Sequence, residues 1–170
     1  TIPGVGECPI SLSSEIRPDG RFDLCVRRAG LVTTAIQRLE VMERIGIRGP
    51  YGRGFPVADL EGRDLVIVAG GLGMAPLRSL VRWVLAHRAQ VGETTLIYGT
   101  RSPADLLFRE EVYGWLQGGA IRVLLSVDVA PAGDWNGIVG PVTVPLRKVA
   151  VNPARTSAFV NPASLSGART

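Results

Sequence analysis

The residues best suited to chemistry are Leu65 to Arg78, which read LVIVAGGLGMAPLR. Leu65–Ala69 is an apolar, largely β-branched run and predicts a strand buried on both faces. Gly70, Gly71 and Gly73 then predict a tight turn, and Ala75-Pro76 opens a helix. Proline in a first helical turn costs no hydrogen bond, because amides there have no intrahelical acceptor. A helix start offers bare N–H groups and the positive end of its dipole, and glycine lets an anion come close to the backbone. This strand–turn–helix unit is therefore a phosphate cradle, and the expected ligand is a nucleotide. The turn lacks the Gly-Lys-Ser/Thr ending of a phosphate-cleaving loop, and Lys148 is the only lysine in the chain. It also departs from the usual dinucleotide fingerprint, because Pro76 replaces the third glycine. The small Ala75 is expected to leave room for a flat ring.

The elements that must position this turn follow from periodicity. Leu77, Leu80, Val81, Val84 and Leu85 recur at helical spacing and give one apolar helix face. Thr94–Tyr98 and Ile121–Val127 predict further strands, and Ser157–Val160 a fourth. Ser102-Pro103-Ala104-Asp105 reads as a helix start, with Ser102 as cap, Pro103 in the first turn and Asp105 reaching back; Glu110–Leu116 continues as helix. Val139–Val149 predicts a further helix despite its prolines. Alternating strands and helices imply a mostly parallel sheet covered by helices. Glu110 and Glu111 are adjacent, so they share no helix face and do not suit paired acid–base work. Asp105 suits a cap better than a catalytic acid.

Residues 1–57 have a different texture. Pro9–Ser14 and Phe22–Arg28 predict strands around the turn Arg17–Gly20, and Ile45–Arg48 predicts another. Val32–Leu39 predicts a short helix capped by Thr33. Gly49 to Gly54 is a shaped loop. The expected division is residues 1–57, an α/β unit at 58–160, and a small, polar, disordered tail at 161–170.

Composition narrows the partners. The 170 residues are 46% apolar and carry a net charge of +4, nearly all from arginine. The arginines are scattered without an aromatic and basic stripe, so nucleic acid is not expected. They suit cofactor phosphates or a negatively charged protein. Two cysteines, Cys8 and Cys25, cannot hold a four-cysteine iron–sulfur cluster or a four-thiolate zinc. They read as small, half-buried side chains. His87, the single histidine, reads as a solvated residue on a helix, so a histidine triad or histidine metal site is not expected. No apolar run reaches the roughly 20 residues that span a bilayer. Thr1 to Gly6 carry no signal-like stretch, and a cytoplasmic chain without membrane insertion is expected.

Several segments, in order, resemble the ferredoxin–NADP reductase superfamily, closest to the electron-transfer subunits of cytosolic hydrogenases, sulfhydrogenases and dihydroorotate dehydrogenases. Pro9-Ile10-Ser11-Leu12-Ser13 resembles the flavin strand, and Arg27, Gly30 and Thr33 the flavin pyrophosphate segment. Gly49-Pro50-Tyr51-Gly52 with Phe55 resembles the loop joining the domains. Gly70-Gly71-Leu72-Gly73-Met74-Ala75-Pro76 resembles the nicotinamide-nucleotide motif, and Tyr98-Gly99-Thr100-Arg101 with Asp105 to Phe108 the second nucleotide loop. Trp135-Asn136-Gly137, Gly140 and Val142-Thr143 resemble the stretch before the final strand.

The resemblance implies a partial antiparallel β-barrel (flavin domain) followed by an α/β parallel-sheet nucleotide-binding domain. It implies FAD on Pro9, Ile10, Ser11, Leu12, Ser13, Val26, Arg27, Gly30, Val32 and Thr33. It implies NAD(P)H on Gly70, Gly71, Leu72, Gly73, Met74, Ala75, Pro76, Gly99, Thr100, Arg101 and Asp105. No catalytic side chain and no metal site follow, because the cofactors carry the chemistry. The implied activity is an oxidoreductase subunit moving hydride and electrons between NAD(P)H, FAD and an iron–sulfur or hydrogenase-type partner. The alternative is a non-catalytic NAD(P)-binding fragment or a docking module. Cys8 stands where many relatives place an arginine. Phe159-Val160 leads into Asn161-Pro162-Ala163-Ser164 where relatives carry Cys-Gly-Pro. A chain truncated at both ends is the expectation.

Overall fold

The computed structural model describes residues 1–130, 133 and 135–161. Five parallel strands form one sheet: β1 (Asp64–Gly70), β2 (Thr94–Thr100), β3 (Arg122–Val127), β4 (Ile138–Val139) and β5 (Thr156–Asn161). Their order is β4-β3-β2-β1-β5. The helices are α1 (Leu31–Gln37), α2 (Met74–Ala86), α3 (Arg109–Gly118) and α4 (Thr143–Leu146).

The strand period of two sorts the core. Leu65, Ile67 and Ala69 of β1 pack with Leu96 and Tyr98 of β2 and with Leu77, Leu80, Val81 and Val84 of α2. Val66, Val68 and Ile97 face the other way, toward Leu124, Val142 and Val149. The apolar run thus serves both faces of a central strand, as its composition requires. The chain moves outward from β1 through β2 to β3, then returns to lay β5 against the free side of β1. The carboxyl ends of β1 and β5 therefore flank a topological switch point, where open α/β sheets bind ligands.

Several sequence expectations change. Pro9–Ser14 and Phe22–Arg28 make one antiparallel bridge, Leu12 to Leu24, rather than two strands. The Ser13 amide donates to the Asp23 carbonyl at 2.9 Å, and the Arg17 amide to the Arg21 carbonyl at 2.9 Å across the turn. A lone pair of strands is marginal, and among the described residues no third neighbour extends this one. Ile45–Arg48 is not a strand either; Gly46 instead exchanges backbone hydrogen bonds with Thr1.

Thr33 does not cap α1 from outside. Gly30 is the cap, and the Thr33 hydroxyl, in the first turn, accepts the amides of Ala29 and Gly30 at 2.9 and 3.0 Å. Ser102 opens only the 3₁₀ turn Pro103–Asp105. Phe108, in the left-handed region with φ 51°, separates that turn from α3. The helix expected over 139–149 shrinks to α4, because Val139 pairs in β4 and Gly140 turns at φ 134°. His87 is half-buried: its ring stacks on Trp83 at 4.5 Å, and Nδ1 sits 2.9 Å from the Trp83 carbonyl. Asn161 belongs to β5; residues 162–170 lie outside the described residues. Cys8 and Cys25 are half-buried free thiols, and burial pushes the Cys25 thiol up.

Candidate functional site

The expected nicotinamide-nucleotide residues converge on one edge of the sheet. Gly70 ends β1, and the 3₁₀ turn Gly71–Gly73 runs directly into α2. Amides that start such a turn precede its first hydrogen bond and point outward from the helix end. Gly71 takes φ 47°, a left-handed conformation that favours glycine. Gly99 and Thr100 end β2 beside it, paired in register through Gly70 and Gly99. Arg101 is exposed and makes no ion pair among the described residues.

The side chains of the motif do less than its backbone. Met74 is 0% exposed and Ala75 4%, so both face the core, and Ala75 leaves no open shelf for a ring. Gly73 is required by packing: a Cβ there would collide with the Asn161 carbonyl at the end of β5. Gly99 is required likewise, since a Cβ would stand 2.8 Å from Val142 Cβ and 3.0 Å from Ser126 Oγ. Thr100 Oγ1 donates to the Ser102 carbonyl at 2.8 Å. The Ser102 hydroxyl donates to the Asp105 carboxylate at 2.6 Å, so Asp105 shapes its own loop.

Tyr98, which the sequence reading named only as part of a strand and of the second loop, ties the site together. Its side chain is fully buried, and its hydroxyl donates to the Gly71 carbonyl at 3.2 Å. The same oxygen accepts the Leu107 amide at 3.0 Å. One phenol therefore pins the glycine turn to the loop after β2. Burial pushes its pKa up to about 12. A tyrosine in an apolar strand at a position facing the crossover helix was the available signal.

The expected flavin residues lie along the N-terminal segment. Pro9 and Ser11 are exposed, Ile10 and Leu12 half-buried. The amides of Ile10 and Ser11 have no acceptor among the described residues. Ser13 is 1% exposed, and its hydroxyl has no hydrogen-bond partner among them. A buried hydroxyl without a partner costs about 1–3 kcal/mol. Val26 is half-buried, and its carbonyl accepts Gln37 Nε2 at 3.1 Å. Arg27 is exposed without an ion pair among the described residues, next to Gly30, Val32 and Thr33 at the start of α1.

Phe55, Val57 and α2 join the N-terminal segment to the α/β unit. Phe55 packs edge-on against Phe159 of β5, with ring centres 5.6 Å apart. Arg78 of α2 reaches Ser13 and Asp23. A cavity of about 350 Å³ lies elsewhere, between Tyr113 and Leu116 of α3 and Trp135–Ile138 beside β3, away from the glycine turn. No helix among the described residues is long and apolar enough to cross a membrane.

Comparison with known proteins gives one family and a consistent set of relatives. Residues 67–160 match the oxidoreductase NAD-binding domain family, and this span contains the glycine turn and the carboxyl ends of β1 and β2. The chain is 39% identical over 163 residues to sulfhydrogenase 1 subunit gamma of Pyrococcus furiosus, covering 94% of this chain and 55% of that protein. It is 36% identical over 127 residues to a probable dihydroorotate dehydrogenase B (NAD(+)) electron transfer subunit of Methanothermobacter thermautotrophicus, covering 75% and 44%. The chain spans about half the length of the curated relatives it matches. Its fold is similar to that of an Amycolatopsis cytochrome P450 reductase, with a TM-score of 0.69 at 24% identity, covering 94% of this chain and 49% of that one.

Proposed function

The chain belongs to the oxidoreductase NAD-binding domain family, and from that premise we propose that it is the NAD(P)H-binding part of an electron-transfer subunit. The observation that carries this reading is the placement of Gly70–Gly73 at the switch point between β1 and β5, at the head of α2. The diphosphate lies against the Gly71–Gly73 turn at the head of α2, where partial positive charge is fixed by the fold. Tyr98 ties that turn to Leu107, at the far end of the loop whose Thr100–Asp105 part borders the ribose. The free Arg101 is the cation nearest in sequence to that loop.

Residues 1–57 form the C-terminal part of a flavin-binding barrel in this reading. The exposed Ser11 hydroxyl and the open amides of Ile10 and Ser11 face the isoalloxazine ring, and Arg27 with the start of α1 faces its pyrophosphate. When bound, the nicotinamide supplies a hydride that the flavin takes up as two electrons and releases one at a time. The protein orients the two rings and keeps water from between them. The names of the relatives point to partners among the other subunits of a hydrogenase or a dihydroorotate dehydrogenase, and an iron–sulfur subunit is the partner this reading expects. A second reading, a module that binds only the nicotinamide coenzyme, is favoured by the single bridge that residues 9–28 form.

Titration calorimetry of the purified chain with NADH, NADPH and FAD tests both readings. Uptake of a nicotinamide coenzyme and of FAD, with NADH bleaching the flavin band, supports the first. Uptake of the nicotinamide coenzyme alone supports the second, and binding of neither refutes both. Gly73→Val is expected to weaken nicotinamide binding at least tenfold, because the new side chain collides with the Asn161 carbonyl and moves the turn.

A further inference from the structure

Arg78 is the meeting point of three segments. Its Nη1 donates to the Ser13 carbonyl at 3.0 Å and to Asp23 Oδ2 at 3.0 Å. Its Nε and Nη2 donate to the two oxygens of Glu111 in α3, at 2.5 and 3.1 Å. Its guanidinium carbon lies 4.4 Å from the centre of the Phe108 ring. Phe108 is the residue whose left-handed backbone ends the loop after β2. The Arg78 side chain is 11% exposed, so these bonds are made largely out of water. Arg82, one turn further along α2, stands 3.7 Å from Asp23 and 3.5 Å from Glu111. Two arginines thus face two carboxylates, with Arg78 on the inside.

The guanidinium is a planar fork with five donors, and here four of its bonds are assigned in three directions. Such a group fixes angles as well as distances; a lysine ammonium at the same place fixes neither. Ser13 has no other tie to α2: its amide goes to Asp23 and its hydroxyl is unpartnered. Among the described residues Arg78 makes every hydrogen bond that ties this segment to α2, with Arg82 only within ion-pair distance of Asp23, and α2 begins at the glycine turn.

We infer that Arg78 is a positioning residue that fixes the separation between the Ser13 segment and the glycine turn, and so between the flavin and nicotinamide rings that these are proposed to hold. The inference rests on the reading of the preceding subsection and adds to it a residue that touches neither coenzyme. Arg78 acts through the Ser13 carbonyl, through Asp23 and through Phe108.

Amide hydrogen exchange and flavin bleaching, both on the purified chain supplied with FAD, test it in Arg78→Gln and Arg78→Lys. In Arg78→Gln, the amides of Ser13 and Asp23 are expected to exchange at least tenfold faster, with those of β1 and β2 unchanged. Flavin bleaching at saturating NADH is expected to fall at least tenfold, while the NADH concentration giving half the maximal rate changes less than threefold. Arg78→Lys is expected to restore charge but not rate. Unchanged exchange at Ser13 and Asp23 would overturn the inference, as would equal loss of protection in β1 and β2, which would mark a general stability role. A parallel rise in the NADH concentration for half-maximal rate, without loss of maximal rate, would overturn it too. If the unaltered chain binds neither coenzyme, the functional reading fails, and the exchange comparison alone decides whether Arg78 sets the Ser13 segment.

Discussion

Residues 64–161 and residues 1–57 are held in place by different forces. The first region closes an apolar core on both faces of its sheet, with Ile67, Leu96, Ile97, Val81 and Val84 all fully buried. In the second, the only buried residues are Ser13 and Ser14, while Leu31, Val41, Met42 and Tyr51 are exposed. Its order comes from point contacts: the Leu12–Leu24 bridge, the Arg17–Asp23 pair and the Arg78 fork. Burial is non-directional and tolerant, so the sheet defines itself. Hydrogen bonds and ion pairs are directional and hold only while their partners stay in place. A coenzyme seated between two such regions has one rigid wall and one that depends on a clamp.

Changes that attack one force at a time sharpen this contrast. The largest effect is expected from Leu96→Ala, which opens a cavity in the centre of β2 and costs about 2–5 kcal/mol in chemical denaturation. Because the N-terminal segment leans on this sheet, its exchange protection should be lost in step. Loss of the sheet without loss of the segment would break the comparison.

Tyr98 gives the next effect, through alkaline pH. The folded pKa, about 12, lies above the ordinary value of 10.0. Stability from this group is fully present below pH 10 and is lost as pH rises toward the folded value. The expected loss approaches about 3 kcal/mol at the upper end, by the linkage of proton binding to folding. Tyr98→Phe should flatten that alkaline decline and loosen the glycine turn, which exchange at Leu107 would report.

The smallest effect is local and acidic. The Arg78 guanidinium beside Asp23, with Arg17 in support, holds that carboxyl below the usual carboxylate range. Its contribution is present above the unfolded carboxylate pKa and disappears as pH falls through the lowered folded value. The N-terminal segment should therefore lose exchange protection in acid before the sheet does. Asp23→Asn should remove that pH dependence, with β1 and β2 unaffected. If both regions loosened at one pH, the two would be a single cooperative unit.

The same contrast explains what was legible. Leu65–Ala69, Thr94–Tyr98 and Ser157–Val160 read directly as strands, because a buried strand needs a compact apolar run and nothing else in sequence mimics it there. The helix face from Leu77 to Leu85 was equally plain. Pro9–Ser14 and Phe22–Arg28 carry strand-like residues but form one bridge, since a strand exists only in the company of its neighbours. The glycine turn was legible as an anion site, yet Gly73 within it and Gly99 beside it answer to Asn161 and Val142, residues far away in sequence.

By itself, then, the sequence determined the parallel sheet, the helix that crosses it and the turn joining them, because each of these follows from the period and size of nearby side chains. The tertiary structure alone decided that β5 returns beside β1, that Tyr98 ties two loops through one oxygen, and that Arg78 gathers Ser13, Asp23 and Glu111. Apart from Tyr98 to Leu107, which are 9 positions apart, those contacts join residues between 27 and 92 positions apart, from Tyr98 to Gly71 up to Asp64 beside Thr156. Local pattern carries no record of such distances; only the folded chain brings their partners within reach.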